Sequence, residues 1–101
     1  MTANPLSYPT SRQPFSQDVF RDPPKEYRGA PFWGWVTKQE KEATVAQVDI
    51  MDEMGMGGFH MHTRVGLDIP YLGKEFMGIV EACVERAKEK GMHAFLYDED
   101  R

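Results

Sequence analysis

Three short apolar runs that turn polar at one end constrain the fold of this chain more than any other feature. They occupy residues 31–36, 57–64 and 94–101. Continuous apolar runs of this length, bounded by glycine or proline, are typical of strands buried on both faces in a parallel sheet. The sequence therefore predicts three parallel strands whose carboxyl ends carry aromatic or polar residues.

Two segments with helical periodicity separate these runs. Thr37 and Glu40 predict a capping box at the start of the first helix, and Gly55 predicts its end. The predicted buried face of this helix is formed by Ala43, Ala46, Ile50, Met51 and Met54. The second helix is predicted over residues 73–90, with Gly91 as its stop. Its predicted buried stripe is formed by Phe76, Val80, Cys83, Val84 and Ala87.

The resulting α/β order is β-α-β-α-β, and right-handed crossovers place both helices on one face of the sheet. The other face stays bare, whereas a closed (β/α)8 TIM barrel of about 250 residues would cover it. Residues 29–101 are therefore predicted to form the first three strands and two helices of such a barrel, incomplete in this chain. The alternative is a small three-layer domain completed by dimerisation. Residues 1–28 are predicted to be an irregular, proline-rich N-terminal arm, either flexible or wrapped on the domain.

The charge, the length of the apolar runs and the cysteine count indicate which kinds of partner and which cellular location to expect. The formal net charge is -4 with acidic and basic residues mixed, which argues against nucleic acid or an anionic membrane as the main partner. No run of about 18 apolar residues is present, so no membrane span is expected. No secretory signal is visible, and the single cysteine excludes an internal disulfide, so we expect a cytoplasmic protein. Cys83 lies within the predicted stripe of the second helix and is expected to be a small buried hydrophobe.

The strand ends are the expected location of chemistry, because parallel α/β folds build their sites there. His60 and His62 lie two residues apart on a strand, so both imidazoles face the same side. Two such nitrogens could hold a divalent metal, with Asp98 and Asp100 completing the ligand set. Zinc sites use three or four protein ligands, and the alternative is that the histidines hydrogen-bond a substrate or neighbouring carboxylates.

A dense charged cluster ends the third predicted strand, at Asp98, Glu99, Asp100 and Arg101. It is either a solvated loop with local ion pairs or a set of groups that hydrogen-bond sugar hydroxyls.

Aromatic and loop residues supply further candidates. Trp33 and Trp35 share one side of the first strand, where they could stack on a sugar or pack in the core. Arg64 and Tyr71 are candidates for polar substrate contacts, and a buried Arg64–Asp98 ion pair is the structural alternative.

Residues 28–35 (Arg-Gly-Ala-Pro-Phe-Trp-Gly-Trp), 54–67 and 97–101 resemble, in that order, the opening of bacterial (β/α)8 glycoside hydrolases of the α-L-rhamnosidase-like, glycosyl-hydrolase-like type. The resemblance covers about residues 20–101. It implies a carbohydrate-active hydrolase with further domains after the barrel, often β-sandwiches. Val36 departs from it, because a polar residue, typically asparagine, is expected there, and the expected Trp-Pro-Ser-Gly-like turn after Arg101 is absent. The sugar-subsite residues that it implies are His60, His62, Arg64, Asp98, Glu99 and Asp100.

Three functional hypotheses follow. The first is the N-terminal segment of a glycoside hydrolase, which needs no cofactor and has as partners a carbohydrate and the rest of the barrel and its further domains. Its catalytic carboxyl pair is expected on later strands, so this chain alone is predicted to be inactive. The second is a metal-dependent hydrolase of amidohydrolase type built on His60 and His62. The third is a non-catalytic carbohydrate-binding remnant. The candidate substrate-binding residues are Trp33, Trp35, His60, His62, Arg64, Asp98, Glu99, Asp100 and Arg101.

Overall fold

A parallel three-stranded sheet lies at the centre of the protein. The computed structural model describes residues 14–100, except for the side chain of Asp100. The elements in chain order are α1 (Gln17–Arg21), a 3-10 turn (Lys25–Tyr27), β1 (Phe32–Trp35), α2 (Lys41–Glu53), β2 (Gly58–Thr63), α3 (Lys74–Lys90) and β3 (His93–Asp100). The strands lie in the order β1-β2-β3 and all pairs are parallel. The predicted β-α-β-α-β order and parallel sheet are confirmed, and β3 is longer than the predicted strand 93–97.

The pairing of β2 with β3 is irregular near the carboxyl ends. Met61 pairs with Leu96, but Thr63 pairs with Asp100, so β3 advances by four residues where β2 advances by two. Such bulges bend a strand and re-aim its side chains, and they are common beside functional sites. The irregularity falls between Leu96 and Asp100, in the part of the strand that the sequence predicted to be polar.

Both long helices pack on the same sheet face, as predicted from the crossover rule. Their apolar side chains form one core with the β2 residues Phe59 and Met61. The opposite face carries Phe32 and Phe95, which are exposed. The buried apolar residues of the core are Trp35, Val48, Phe59, Met61, Leu67, Ile69, Phe76, Ile79, Val80, Cys83, Ala87 and Met92.

The capping box predicted for α2 is wrong. The helix begins at Lys41 with Glu40 as N-cap, and no side chain caps it. Gln39 accounts for the difference, because its buried side chain ties the preceding loop to the helix. Its Nε2 donates to the carbonyl oxygen of Thr37 at 3.2 Å, and its Oε1 accepts from Thr44 Oγ1 at 3.1 Å. The loop is therefore held in a non-helical conformation up to Glu40.

The predicted buried face of α2 is also largely wrong. Thr44 and Val48 are the buried residues of the helix, and Met51 packs beside them. Their spacing of four and seven defines a stripe that is as periodic as the predicted one. Asp49, on a neighbouring face, binds Arg86 of α3, which fixes the rotation of the helix. Four residues of the predicted face are consequently exposed, namely Ala43, Ala46, Ile50 and Met54.

Helix α3 follows its prediction closely. Gly73 is its N-cap and Gly91, with a φ of 70°, ends it. Four residues of the predicted stripe are buried together with Ile79, whereas Val84 is exposed. Cys83 is buried in this stripe, and burial raises the pKa of its thiol to about 12. It is therefore an uncharged core residue at neutral pH, as expected.

The chain between α1 and β1 docks against the amino ends of the strands. Lys25 Nζ donates to the Asp52 carboxylate and to the carbonyl oxygen of Lys90, which joins the ends of α2 and α3. Gly57 N donates to the carbonyl oxygen of Gly29 at 2.9 Å. Residues 25–29 of the predicted arm therefore contact the ends of the helices and strands, and the described part of the arm also contains α1 and the 3-10 turn. Residues 1–13 of the arm lie outside the described residues.

Gly57 is expected to be intolerant of a side chain. A β-carbon there would overlap the carbonyl oxygen of Lys25 and lie 3.1 Å from Arg28 Cβ. Gly57→Ala should lower the free energy of unfolding by about 1–3 kcal/mol, because backbone would have to move. Urea denaturation followed by tryptophan fluorescence measures this. Gly29→Ala is the matched control, since its β-carbon would meet only Met56 Sδ at 3.9 Å. Equal stability of the two variants would contradict the docking.

The helix pair should lose stability in acid. Hydrogen bonds from Arg86 to Asp49, at 2.6 and 3.0 Å, outweigh desolvation and hold the pKa of Asp49 below its usual value of 3.8. A depressed folded-state pKa stabilises the fold above the unfolded-state pKa, and the contribution is lost as the pH falls through the folded-state value. Asp49→Asn should therefore make the free energy of unfolding depend less steeply on pH at acidic pH, in the acid limb of a stability–pH curve. Asp68→Asn, on an exposed loop, should leave that limb unchanged, and an unchanged limb in Asp49→Asn would contradict the assignment.

Candidate functional site

A cleft of about 520 Å³ lies at the carboxyl end of the sheet. It combines residues from the end of each strand, as parallel α/β folds require of a binding site. Three of the predicted site residues meet there, namely His62, Arg64 and Glu99. The full lining is Phe32, Gly34, Val36, His62, Arg64, Tyr97 and Glu99.

His62 is the buried polar group of this cleft. Its side chain is held edge-on by the rings of Phe32 and Tyr97, at centroid distances of 5.2 and 4.6 Å. The residue is 8% exposed, and its Nε2 has no hydrogen-bond partner in the described part of the chain. A buried polar atom without a partner costs about 1–3 kcal/mol, so a ligand group that bonds Nε2 would recover that energy.

His60 faces the same side of the sheet, as predicted, but has a different environment. Its ring stacks between Phe32 and Phe95, at 5.6 and 4.6 Å. Its Nδ1 lies 3.0 Å from the carbonyl oxygen of Ala30. A carbonyl oxygen can only accept, so Nδ1 carries the proton of this hydrogen bond. His60 therefore packs and orients the aromatic face, and it does not line the cleft.

Among the described side chains, the metal alternative gains no third ligand. Within residues 14–100, no group of three or more His, Cys, Asp or Glu side chains is placed to hold a metal ion. Asp98, the nearest predicted partner that is described, accepts a hydrogen bond from the Tyr71 hydroxyl at 3.2 Å. Tyr71 itself is anchored by its ring against Phe76, at 5.4 Å. The Tyr71–Asp98 contact thus ties the β2–α3 loop to β3.

Arg64 projects from the end of β2 over the neighbouring strand. Its backbone N–H donates to the carbonyl oxygen of Trp35 at 3.2 Å, which continues the β1–β2 ladder. The side chain crosses Gly34, where an added β-carbon would lie 3.2 Å from Arg64 Cγ. Among the described residues the guanidinium has no ion pair, so the alternative Arg64–Asp98 pair is not formed there.

The two tryptophans share one side of β1, as predicted, but it is the helix side. Trp35 is 1% exposed and packs its ring on Phe76 at 5.5 Å, so it offers no ring face to a ligand. Trp33 packs on Phe59 at 5.2 Å and donates from Nε1 to Gln47 Oε1 at 2.9 Å. Core packing, the alternative kept open for these residues, accounts for Trp35.

The aromatic surface of the cleft comes instead from Phe32 and Tyr97. The side on which Phe32 lies could have been predicted from strand alternation, because a residue next to Trp33 must face the opposite side. Alternation likewise puts Tyr97 on the same side as Phe95, and the pairing of β3 with β2 brings its ring to 4.6 Å from that of His62. Glu99 lies two residues after Tyr97 and also reaches the cleft. The side chain of Asp100 and all of Arg101 lie outside the described part of the chain.

Comparison of the chain with protein-family models, with curated proteins and with solved structures finds no match. A function for this chain is therefore inferred from the residues of the cleft and from the sequence resemblance. In the part of the chain from residue 14 to residue 100, no helix combines the length and the hydropathy needed to cross a bilayer.

Proposed function

We propose that this chain forms the substrate-binding opening of a (β/α)8 glycoside hydrolase and that its strand-end cleft binds a sugar. The observation that carries the proposal is the unpartnered Nε2 of the buried His62 in a cleft with aromatic and charged walls. The resemblance over residues 20–101 supports the same class of enzyme. The cytoplasm remains the proposed location.

The chemistry of the cleft suits a pyranose. Sugar hydroxyls donate and accept hydrogen bonds, and the cleft offers both kinds of partner. Arg64 supplies guanidinium donors, Glu99 supplies carboxylate acceptors, and His62 supplies a ring nitrogen. Phe32 is 62% exposed, so its ring can contact the apolar face of a sugar. A mixture of a few polar groups with aromatic walls is the usual composition of small-molecule sites.

The described residues do not supply the bond-cleaving pair. Glycoside hydrolysis needs two carboxyl groups that flank the scissile bond, about 5–5.5 Å apart for retention or 6.5–9.5 Å apart for inversion. Among the described side chains of residues 14–99, the carboxylate that lines the cleft is Glu99, and Asp98 accepts a hydrogen bond from Tyr71. We therefore assign the described strand ends to substrate binding and place the catalytic pair on later strands of a barrel. Such strands would also cover the face that carries Phe32 and Phe95.

Sugar titration of the isolated chain tests the binding role. Millimolar L-rhamnose or a hexose should shift the NMR signals of the His62 and Tyr97 side chains. His62→Gln should weaken binding by at least about fivefold, because it removes a buried hydrogen bond. His93→Gln is the matched control, since His93 stacks on Phe95 and lies outside the cleft. Unchanged cleft signals across a panel of monosaccharides would contradict the proposal.

An activity assay tests the proposal that this chain binds the sugar but does not cleave the glycosidic bond. The purified chain should show no turnover of aryl glycosides, because the described cleft has one carboxylate where two are needed. Turnover that disappears in Glu99→Gln would instead show that the catalytic groups are present in this chain. The control is the same assay with heat-unfolded protein.

A further inference from the structure

We infer that the sugar bound in the cleft is acidic, a uronic acid whose carboxylate lies between the Arg64 guanidinium and His62 Nε2. The inference rests on the proposed sugar-binding function and specifies its substrate class. Three observations carry it: a guanidinium without an ion pair among the described side chains, a glycine that makes room for its stem, and a buried imidazole that lines the same cleft.

The charge of Arg64 is uncompensated in the described structure. Arg86 binds Asp49 and Glu89, and Arg28 binds Asp22. Arg64 has no such contact with the described side chains of residues 14–99, although it lines a cleft. An arginine guanidinium is a cation that presents a fork of N–H donors, which matches a carboxylate. An anionic ligand would neutralise this charge, whereas a neutral hydroxyl would not.

Gly34 positions that guanidinium. The residue is the direct β1 partner of His62, and any β-carbon at this position would press on Arg64 Cγ at 3.2 Å and on Val36 Cγ1 at 3.8 Å. The bare backbone of Gly34 therefore lets the Arg64 stem lie across β1 beside the imidazole. His62 lies in β2 and Arg64 directly follows that strand, and both side chains line the same cleft. A carboxylate in the cleft can accept hydrogen bonds from both.

Glu99 makes the prediction more specific. It lines the same cleft and is exposed, so water screens its repulsion of an anion. Its oxygens are acceptors for sugar hydroxyls. Neutralising Glu99 should therefore strengthen the binding of a uronate, whereas neutralising Arg64 should weaken it. A cleft for neutral sugars would not show these opposite signs.

The experiment compares pairs of ligands that differ only at C6, by calorimetry and NMR on the whole chain. D-galacturonate should bind at least about tenfold more tightly than D-galactose, and D-glucuronate more tightly than D-glucose, since hydrogen bonds to charged groups are the stronger ones.

Arg64→Gln should abolish the difference in affinity between a uronate and its neutral hexose, and Arg64→Lys should reduce it. Arg21→Gln, which removes the same charge outside the cleft, should preserve it. Glu99→Gln should increase uronate affinity, and Gly34→Ala should lower it with the far-UV spectrum unchanged.

Each contrary outcome has a defined meaning. Equal affinity for uronate and neutral hexose, unaffected by Arg64→Gln, would overturn the acidic-sugar inference and leave sugar binding standing. Acetate that binds as tightly as the uronates would overturn it as well, because the site would then recognise a bare carboxylate. The absence of any shift of the His62 signals with every ligand would overturn both this inference and the proposed function.

Discussion

The alternation of side chains along β2 determines what each side of this protein can do. β2 is the central strand and is paired on both edges, so a shift of register would break two ladders at once. Phe59 and Met61 point to the helices and form the middle of the core. His60 and His62 consequently point to the other side. The hydrophobic requirement of the core thus places two imidazoles on the bare face of the sheet.

Burial on that bare face comes from neighbouring rings and not from a second layer. Phe32 of β1 and Tyr97 of β3 cover His62 from both sides, which leaves it buried although none of the described helices packs on this face. The covering groups are apolar rings, so they exclude water without supplying a partner for Nε2. His62 Nε2 is therefore available to hydrogen-bond a ligand that enters the cleft. This is the physical basis of the proposed sugar site.

The two ends of the sheet have different roles. At the amino ends, Lys25 joins α2 to α3, and the backbone passes so close to Gly57 that only glycine fits. At the carboxyl ends, Gly34 is again without a side chain, but there the space is occupied by the stem of Arg64. One glycine permits close packing and the other positions a charged group. Parallel α/β folds commonly divide stability and function between their two ends in this way.

The sequence by itself determined the element order, the parallel sheet, the helix-ending glycines Gly55 and Gly91, and the polar strand ends. These follow from local periodicity and from backbone conformations that only glycine adopts cheaply. It also determined that His60 and His62 share a side, because alternation along a strand is geometric.

Only the tertiary structure decided which face of each element meets the core. On α2, the stripe of Thr44 and Val48 and the exposed stripe of Ile50 and Met54 are equally periodic, and contacts with the sheet and with Arg86 chose between them. Trp35 is a second example. Alternation predicts that it shares a side of β1 with Trp33, but it does not predict that this side faces the helices. The β2–β3 pairing, which sets Tyr97 beside His62, joins residues distant in sequence, and a local pattern contains no information about such pairs.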